Sequence, residues 1–546
     1  MNVRIDQWRA PSCVALLILI VITFCLDFAH GIKLGQDNVL FGPTNRVRQS
    51  LAVALSRFYD PPAIGYVAYG SVVQVFKDSG FSEPGERGLR LAPKALIRLL
   101  NDGPELNRIL KLAATIPIDP KLPLETIGAS ELGYADYIEL SFRLFGINVS
   151  ALYYFYFLLL GVACLLYLIE FRKSPLLLFL LVIFLAEQYF LHAYARRWGI
   201  ELNAITNSRL FSGLALLPAA HIMFVLWRHE QPSAMTVASV FVQAALFAFI
   251  VTCRYEAMWQ ATMIVAACAA LGLYYLFFPN RVSGWRTASL GPHAQFWPAG
   301  VLVVALIVAH LNINLTADAR YAGEAKNHVF WHDFLMSTLE ASPDLLRIYT
   351  PADTDTNNGD SIAFDTVRRH VNERNDLGSP VTDFDKQRNR IEINPAKSWT
   401  AYDQLAKAVV WRMCQEHPWL MFKSVFLKLG LHLYRMTVYW MSPWTSYAWQ
   451  SLAFPAVICA LGAVLCVLAG GMARPISTLG SEFAVWAFFV LFATMTPAMK
   501  PGIFSISSIF THVAAVLIVV VYGISISIGW LMGVSARRLP MASSAN

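Results

Sequence analysis

The chain is poor in charged residues, which make up only 14% of its 546 positions, whereas a soluble domain carries about 25%. The mean hydropathy of +0.49 agrees with this shortage. The net charge of +7 is modest, and the basic residues lie beside apolar segments rather than in a tail. These features exclude a cytosolic enzyme, a disordered protein and a nucleic-acid-binding module. The sequence therefore predicts an integral membrane protein.

Two further kinds of residue are scarce: cysteines in polar segments, and ionisable residues inside the apolar runs. Seven of the eight cysteines lie in or beside apolar runs and only Cys414 lies in a long polar segment, so neither a disulfide framework nor a metal cluster is expected. Ionisable residues inside the apolar runs are few, the exceptions being Glu187, His221 and His512. Because transporters and proton pumps need such residues along their pathways, this scarcity disfavours transport.

Long apolar runs, by contrast, are abundant, and a spanning helix needs about 20 mostly apolar residues. We expect an all-α membrane protein of about ten transmembrane helices, with two large outer-face loops that contain membrane-surface helices. The ten predicted spans are 12–27, 150–169, 174–192, 209–227, 233–252, 260–278, 297–315, 447–469, 481–498 and 507–532. An eleventh apolar stretch, 418–440, carries Lys423, Lys428 and Arg435 and predicts an interfacial helix.

The basic residues of the short loops predict the orientation. With a cytoplasmic N-terminus, ten Lys and Arg residues fall inside and five outside. Both termini are then cytoplasmic, the first span is retained rather than cleaved, and the two long segments, 28–149 and 316–417, face the periplasm of a bacterial inner membrane. Three regions result: 1–315 with its long first outer loop (28–149), a second outer loop (316–417), and an interfacial helix with the last spans (418–546).

The first outer loop carries the leading candidates for acid–base chemistry. Residues 44–58 predict an amphipathic helix, and residues 130–146 predict a second helix next to the following span. This second helix holds Glu131 and Asp136 close to the membrane surface, where a carboxylate could act as a general base toward a hydroxyl acceptor. Spacing alone equally allows ordinary helix electrostatics, because Asp136, Glu139 and Arg143 share one helix face.

Cations in short outer loops predict an anion-binding site. Lys and Arg are normally enriched in the cytoplasmic loops of membrane proteins, so their presence in short outer loops needs a reason. Binding of phosphate is one such reason, because arginine offers a fork of donors to phosphate oxygens. Interfacial snorkelling, or pairing with Glu201 or Glu256, explains them as well. The candidate substrate-binding residues of these loops are Arg196, Arg197, Arg254, Glu256 and Lys500.

The second outer loop contributes His328 and His332, four residues apart on one predicted helix face. That spacing suits two ligands of a divalent metal. A third ligand is not evident, so a metal is possible but not implied, and the favoured interpretation is that these are surface histidines or histidines that contact substrate. Trp331 could stack on a sugar ring or anchor at the membrane interface. Residues 351–400 are polar and turn-rich, and the stretch DTDTNNGD at 353–360 departs from a calcium loop.

The stretch Glu131-Leu132-Gly133-Tyr134-Ala135-Asp136-Tyr137, running on to Phe145-Gly146, resembles the acidic motif of the GT-C class of glycosyltransferases. The arrangement of a first span, a long outer loop and many later spans is also similar to that class. Here the motif lies at the far end of the loop and lacks an adjacent Asp-Glu pair. The catalytic position therefore stays open between Asp136, Glu131 and Asp27.

The resemblance implies an inverting enzyme without a cofactor. It would move a sugar from a polyprenyl-phosphate carrier in the bilayer to a glycan, lipid or protein acceptor of the cell envelope, with the active face on the periplasmic side. The motif tyrosine, Tyr137, would then contact substrate, and the last outer loop around Lys500 would contact the lipid phosphate. Two alternatives remain: an O-antigen polymerase or ligase led by His328, His332 and Arg320, and a non-enzymatic transporter or scaffold.

Overall fold

The computed structural model describes residues 132–172, 211–227, 232–254, 257–277, 296–316, 330–356, 359–395 and 398–424, together with single positions and short strands within 50–126, positions within 177–185, and residue 427. The described part is mostly helical. The helices with described bounds are α1 Gly133–Phe145, α2 Val149–Phe171, α3 Phe211–Leu214, α4 Leu216–Trp227, α5 Ala234–Cys253, α6 Met258–Phe277, α7 Trp297–Thr316, α8 Phe330–Ala341, α9 Pro343–Tyr349, α10 Gly359–Arg374 and α11 Trp399–Glu416.

Strands occur only as short antiparallel pairs within the described residues. Val67–Ala68 (β1) pairs with Glu125–Thr126 (β4), and Ser82–Glu83 (β2) pairs with Arg90–Leu91 (β3). Thr382–Asp385 (β5) and Arg390–Ile393 (β6) form a hairpin in which Phe384 lies opposite Ile391. The prediction of an all-α chain is therefore confirmed only in part, because the described residues are mostly helical but include these strands.

Two of the helices, at Ser150–Phe171 and Ala234–Cys253, are long and apolar enough to cross a membrane. They coincide with two of the predicted spans. Shorter apolar helices lie within three further predicted spans, at Leu216–Leu226, Gln260–Ala269 and Trp297–Ile313. The spans predicted at 12–27, 447–469, 481–498 and 507–532 lie outside the described residues, as does most of 174–192.

Helices α1, α2, α4, α5 and α7 pack around one apolar core. Its largest fully buried side chains are mostly aromatic, which lets few residues fill the space between helices. Two buried polar side chains of this core are bonded across helices: Gln243 donates to the carbonyl of Ala163 on α2 (2.9 Å), and His221 on α4 lies 3.2 Å from the Ser239 hydroxyl on α5. Such hydrogen bonds satisfy polar groups inside the apolar core and join neighbouring helices.

Residues 330–424 form a second apolar core built from α8, α9, α10, the hairpin and α11. This core includes Leu420 and Met421, so it extends past the predicted boundary at residue 417. The prediction of a turn-rich 351–400 is wrong in its larger part. That segment contains the 16-residue helix α10 and the hairpin, because a narrow apolar stripe around Ile362 and Val367 buries one face of an otherwise charged helix.

Candidate active site

Helix α1 carries Asp136 and matches the helix predicted at 130–146. The helix ends at Gly146, whose φ of +83° is a conformation that favours glycine. Asn148 then caps α2 by accepting a hydrogen bond from the backbone N–H of Ala151 (2.8 Å). This turn fixes α1 directly against the N-terminal end of an apolar helix. Asp136 lies in the first turn of α1, where helix-terminal N–H groups favour a negative charge.

Asp136 forms an ion pair with Arg57, whose Nη1 lies 2.5 Å from the Asp136 Oδ1. Arg57 also binds the neighbouring carboxylate, with 2.9 Å between its Nε and the Glu139 Oε2. Glu139 accepts a second ion pair from Arg143 at 2.9 Å. The side chain of Asp136 is 21% exposed and that of Glu139 only 12%. Of the two carboxylates, Asp136 is therefore the more accessible to an external hydroxyl group.

The first turn of α1 lies against the C-terminal end of α5, which brings Asp136 and Arg254 to the same end of the helix bundle. The Cys253 thiol donates to the carbonyl of Gly133 at 3.3 Å. A Cβ built on Gly133 would lie 2.1 Å from the Thr252 hydroxyl oxygen. Only glycine allows this approach. Arg254 follows directly as the C-cap of α5 and is buried.

Tyr137 was expected to contact substrate, but the structure buries it completely. Its hydroxyl donates to the backbone carbonyl of Leu152 on α2. Its ring stacks on Tyr134 (5.8 Å between centroids) and meets Phe211 edge-on (4.7 Å). With the side chain fully enclosed and its hydroxyl bonded, Tyr137 joins α1 to α2 and has no surface left for a ligand. This is a correction to the predicted role.

An open apolar groove of about 440 Å³ lies between α1, α2 and α5. Leu140, one helical turn after Asp136, lines it from α1. The groove is wholly apolar in its lining and falls within the size range of ligand pockets. Side chains from the two membrane-length helices complete it, among them Phe155, Leu159, Phe241, Ala245 and Phe249.

A separate polar cluster surrounds His332 in the 330–424 unit. The backbone N–H of His332 donates to the Asp403 carboxylate (2.9 Å), and its Nδ1 lies 2.9 Å from the Tyr402 hydroxyl. Its Nε2 lies 3.1 Å from Oδ1 of Asp360, whose side chain is 66% exposed. Phe364 covers the imidazole at 5.0 Å between ring centroids. His332 is therefore buried and held on three sides, with one exposed carboxylate beside it.

Burial raises the pKa of Asp403 to about 6, although the backbone N–H groups of His332 and Trp331 partly oppose the shift by stabilising the charged form. A folded-state pKa above the unfolded value means that the folded chain keeps this proton longer as pH rises. The contribution of Asp403 to the free energy of unfolding is therefore fully present below about pH 4 and is lost as the pH rises to about 6. Two pKa units correspond to about 3 kcal/mol.

Replacing Asp403 with asparagine is expected to stabilise the protein at neutral pH. The amide oxygen can still accept the His332 N–H bond, while the buried charge is gone. The thermal midpoint of the full chain in detergent should exceed that of the wild type at pH 7, and the two should converge near pH 4. Asp353→Asn, at an exposed loop position, is the matched control. An Asp403→Asn difference that stays constant with pH would contradict the assignment.

Of the remaining candidate residues, Trp331 belongs to the described part of the chain and the others do not. Trp331 is partly buried at the start of α8, with the Lys407 ammonium 5.8 Å from its ring centroid. Within the part of the chain that the structure describes, no group of three or more His, Cys, Asp or Glu side chains could hold a metal ion. The candidates that lie outside the described residues are Asp27, Glu131, Arg196, Arg197, Glu256, His328 and Lys500.

Sequence reasoning missed Arg57, the cation that joins Asp136 and Glu139. Its own segment was predicted as an amphipathic helix, and the described positions Ser50, 53–55 and Arg57 are helical. Nothing in the spacing of residues 79 apart in sequence indicates that they pair. The Asp360 and Tyr402 partners of His332 were missed for the same reason.

Comparisons with family models, with curated proteins and with solved structures find no match to this chain.

Proposed function

We propose that this chain is a multi-pass membrane glycosyltransferase of inverting type, which transfers a sugar from a polyprenyl-phosphate carrier to an envelope acceptor on the periplasmic face. One observation carries the proposal: a first-turn carboxylate, Asp136, lies one helical turn from an apolar groove on membrane-length helices. A substrate with a polar head group and a long lipid tail needs this combination.

In the proposed reaction the acceptor hydroxyl gives its proton to Asp136 while its oxygen attacks the anomeric carbon of the donor sugar. The new glycosidic bond forms as the bond from that carbon to the phosphate oxygen breaks, and the phosphate leaves with the electron pair. Arg254, at the same end of the bundle as Asp136, would stabilise the leaving phosphate. Arg57 is assigned to positioning the Asp136 carboxylate.

The test is a comparison by mass spectrometry of lipid extracts from a strain that lacks the protein and from its parent. Accumulation of a polyprenyl monophosphate carrying one sugar would support the proposal and identify the donor. No change in this lipid, in a strain without a second enzyme for the same donor, would contradict it.

A second candidate function, an envelope glycan polymerase or ligase, is favoured by one observation. His332 lies 3.1 Å from the exposed carboxylate of Asp360, and a histidine beside a carboxylate is a common general base. Accumulation of a polyprenyl diphosphate carrying a whole oligosaccharide in the same extracts would select this function over the first.

Filling the apolar groove is expected to weaken use of the lipid donor. Ala245 lines the groove with its small side chain exposed, so Ala245→Trp would occupy the space where the lipid tail is proposed to lie. The KM for the polyprenyl-phosphate donor should rise about tenfold or more, because each buried CH₂ of a tail contributes about 0.8 kcal/mol. A donor with a truncated tail should be affected less.

Ala238→Trp is the matched control, because Ala238 is an exposed alanine on the same helix. Unchanged donor KM in Ala245→Trp, or an equal rise in both variants, would remove the groove from the donor site.

A further inference from the structure

The 330–424 unit exposes large aromatic side chains at its first residue, on the outer side of α11 and in the segment that follows α11. We call Phe330, Trp411, Trp419 and Phe422 the aromatic facet. Their exposed fractions are 38%, 61%, 69% and 55%. Folded water-soluble units rarely expose several large aromatics together, and such groups mark interaction surfaces.

Ring contacts connect parts of this facet. Trp419 and Phe422 stack with 5.6 Å between centroids and an interplanar angle of 25°. Phe330 meets the ring of Trp331 edge-on at 5.1 Å, and the Lys407 ammonium lies 5.8 Å from the Trp331 ring centroid. Lys407 and Trp411 are four residues apart on α11 and share its face. The facet therefore carries a cation beside its aromatic rings.

The connections of the unit identify what covers this facet. Residues 317–329 join the end of the apolar helix α7 to Phe330, and a chain of that length reaches at most about 45 Å. On the other side, Phe422 is followed by the apolar stretch 425–440 and by the span predicted from residue 447. Both connections tie the facet to apolar segments, so a bilayer surface lies within its reach.

The chemistry of the facet also matches a bilayer surface. Tryptophan is enriched at the membrane–water interface, where its ring contacts acyl chains and its N–H remains among the head groups. Lys423 lies exposed between the aromatic positions and the apolar stretch, and lysine is attracted to anionic lipid head groups. The carboxylate of Glu416 nearby forms an ion pair with Arg412 (2.8 Å) and accepts a hydrogen bond from the Tyr349 hydroxyl (2.7 Å).

We propose that the aromatic facet is a lipid-binding surface that seats the 330–424 unit on the outer leaflet of the membrane. This inference depends on the membrane location in the proposed function and is independent of sugar transfer. It assigns Trp411 and Trp419 to lipid contact, and it extends the surface beyond the stretch 418–440 to α11 and to the start of α8.

The test uses the full chain in proteoliposomes of phosphatidylcholine and phosphatidylglycerol. An azidophenylalanine replaces Trp411, Trp419 or Phe422 in separate variants and is coupled to a nitroxide, which leaves the native cysteines untouched. Accessibility of the nitroxide to oxygen, which concentrates in lipid, and to a water-soluble nickel chelate is then measured. At all three positions the ratio of oxygen to nickel accessibility should be several-fold higher than at an aqueous control site.

Phe384 provides the aqueous control, because its side chain is 48% exposed on strand β5 between Asp383 and Asp385. Leu165 in α2, which is 56% exposed, provides the membrane control. Nickel accessibility at the facet equal to that at Phe384 would overturn the proposal, and so would exclusion of both reagents, which would indicate contact with a second copy. Nickel accessibility at Leu165 would overturn the membrane location itself, so the two failures are distinguishable.

Hydrogen exchange of the unmodified chain provides a measurement without substitutions. Backbone amides of residues 417–424 should exchange more slowly in these proteoliposomes than in small detergent micelles, which cover the spanning helices but offer no extended head-group surface to the facet. Equal exchange in the two media would contradict a lipid-covered facet.

Discussion

Replacing Asp136 with asparagine is expected to abolish sugar transfer while leaving the protein folded. Asparagine has nearly the same shape and keeps an oxygen that can accept the Arg57 bond (2.5 Å), but it cannot take the acceptor's proton. Loss of a general base typically lowers the rate by about 10²- to 10⁴-fold. The measurement is transfer from a polyprenyl-phosphate sugar to acceptor in purified membranes, with kcat and KM determined separately. The decrease should lie in kcat.

Glu139→Gln is the matched control for Asp136→Asn. It removes a carboxylate that lies on the same helix and pairs with the same arginine, Arg57. That carboxylate is the less exposed of the two. We expect Glu139→Gln to keep transfer activity far above that of Asp136→Asn, with equal thermal midpoints in detergent. Transfer at the wild-type level by Asp136→Asn would remove Asp136 from the catalytic role and leave Glu131 and Asp27 as the candidates.

The local elements of the site could be predicted from sequence because their signals are local. Gly146 ends α1 and Asn148 begins α2 through contacts within a few residues. Both membrane-length helices were predicted for the same reason, since a continuous apolar run specifies its own helix.

The partners within the site could not be predicted, because they come from distant segments. Arg57 reaches Asp136 across 79 residues, and His332 reaches Tyr402 across 70. No pattern along one chain specifies which of many polar residues meet after folding. The burial of Tyr137 illustrates the same point, because its sequence neighbours do not reveal that α2 and Phe211 enclose it.

The prediction from sequence missed helix α10 for a different reason. Its sequence, GDSIAFDTVRRHVNER, has a low apolar content and follows a turn-rich stretch. Six of its residues are nevertheless buried against α8, α11 and the hairpin, so its helical state depends on tertiary contacts. Intrinsic propensity is a weak predictor where packing decides the structure.

Replacing Gly133 with alanine is expected to destabilise the junction between α1 and α5 and to reduce activity. The new Cβ would lie 2.6 Å from the backbone carbonyl carbon of Thr252, closer than real Cβ contacts come. Rotation of the Thr252 side chain relieves only the contact with its hydroxyl oxygen, so the two helices must separate. Overpacking of this kind costs about 1–3 kcal/mol, which exceeds the gain of about 1 kcal/mol from alanine's higher helix propensity.

The measurement is thermal unfolding of the full chain in one detergent, with donor KM and kcat determined at a temperature where each variant is folded. Gly161→Ala is the matched control, because a Cβ on Gly161 of α2 meets nothing within 4 Å. This control should be neutral or slightly stabilising. A Gly133→Ala protein as stable as the Gly161→Ala protein would contradict the close approach of α1 to α5.

The pairing of Gly133→Ala with Thr252→Ala separates the two sources of strain. The second substitution removes the Thr252 hydroxyl, 2.1 Å from the new Cβ, but leaves the backbone carbon at 2.6 Å. We therefore expect only partial recovery of the thermal midpoint. Activity should recover in the same proportion, because the contact of Gly133 with Thr252 and Cys253 holds Asp136 at the end of the bundle that carries Arg254. Full recovery of stability without recovery of activity would separate the helix contact from the catalytic arrangement.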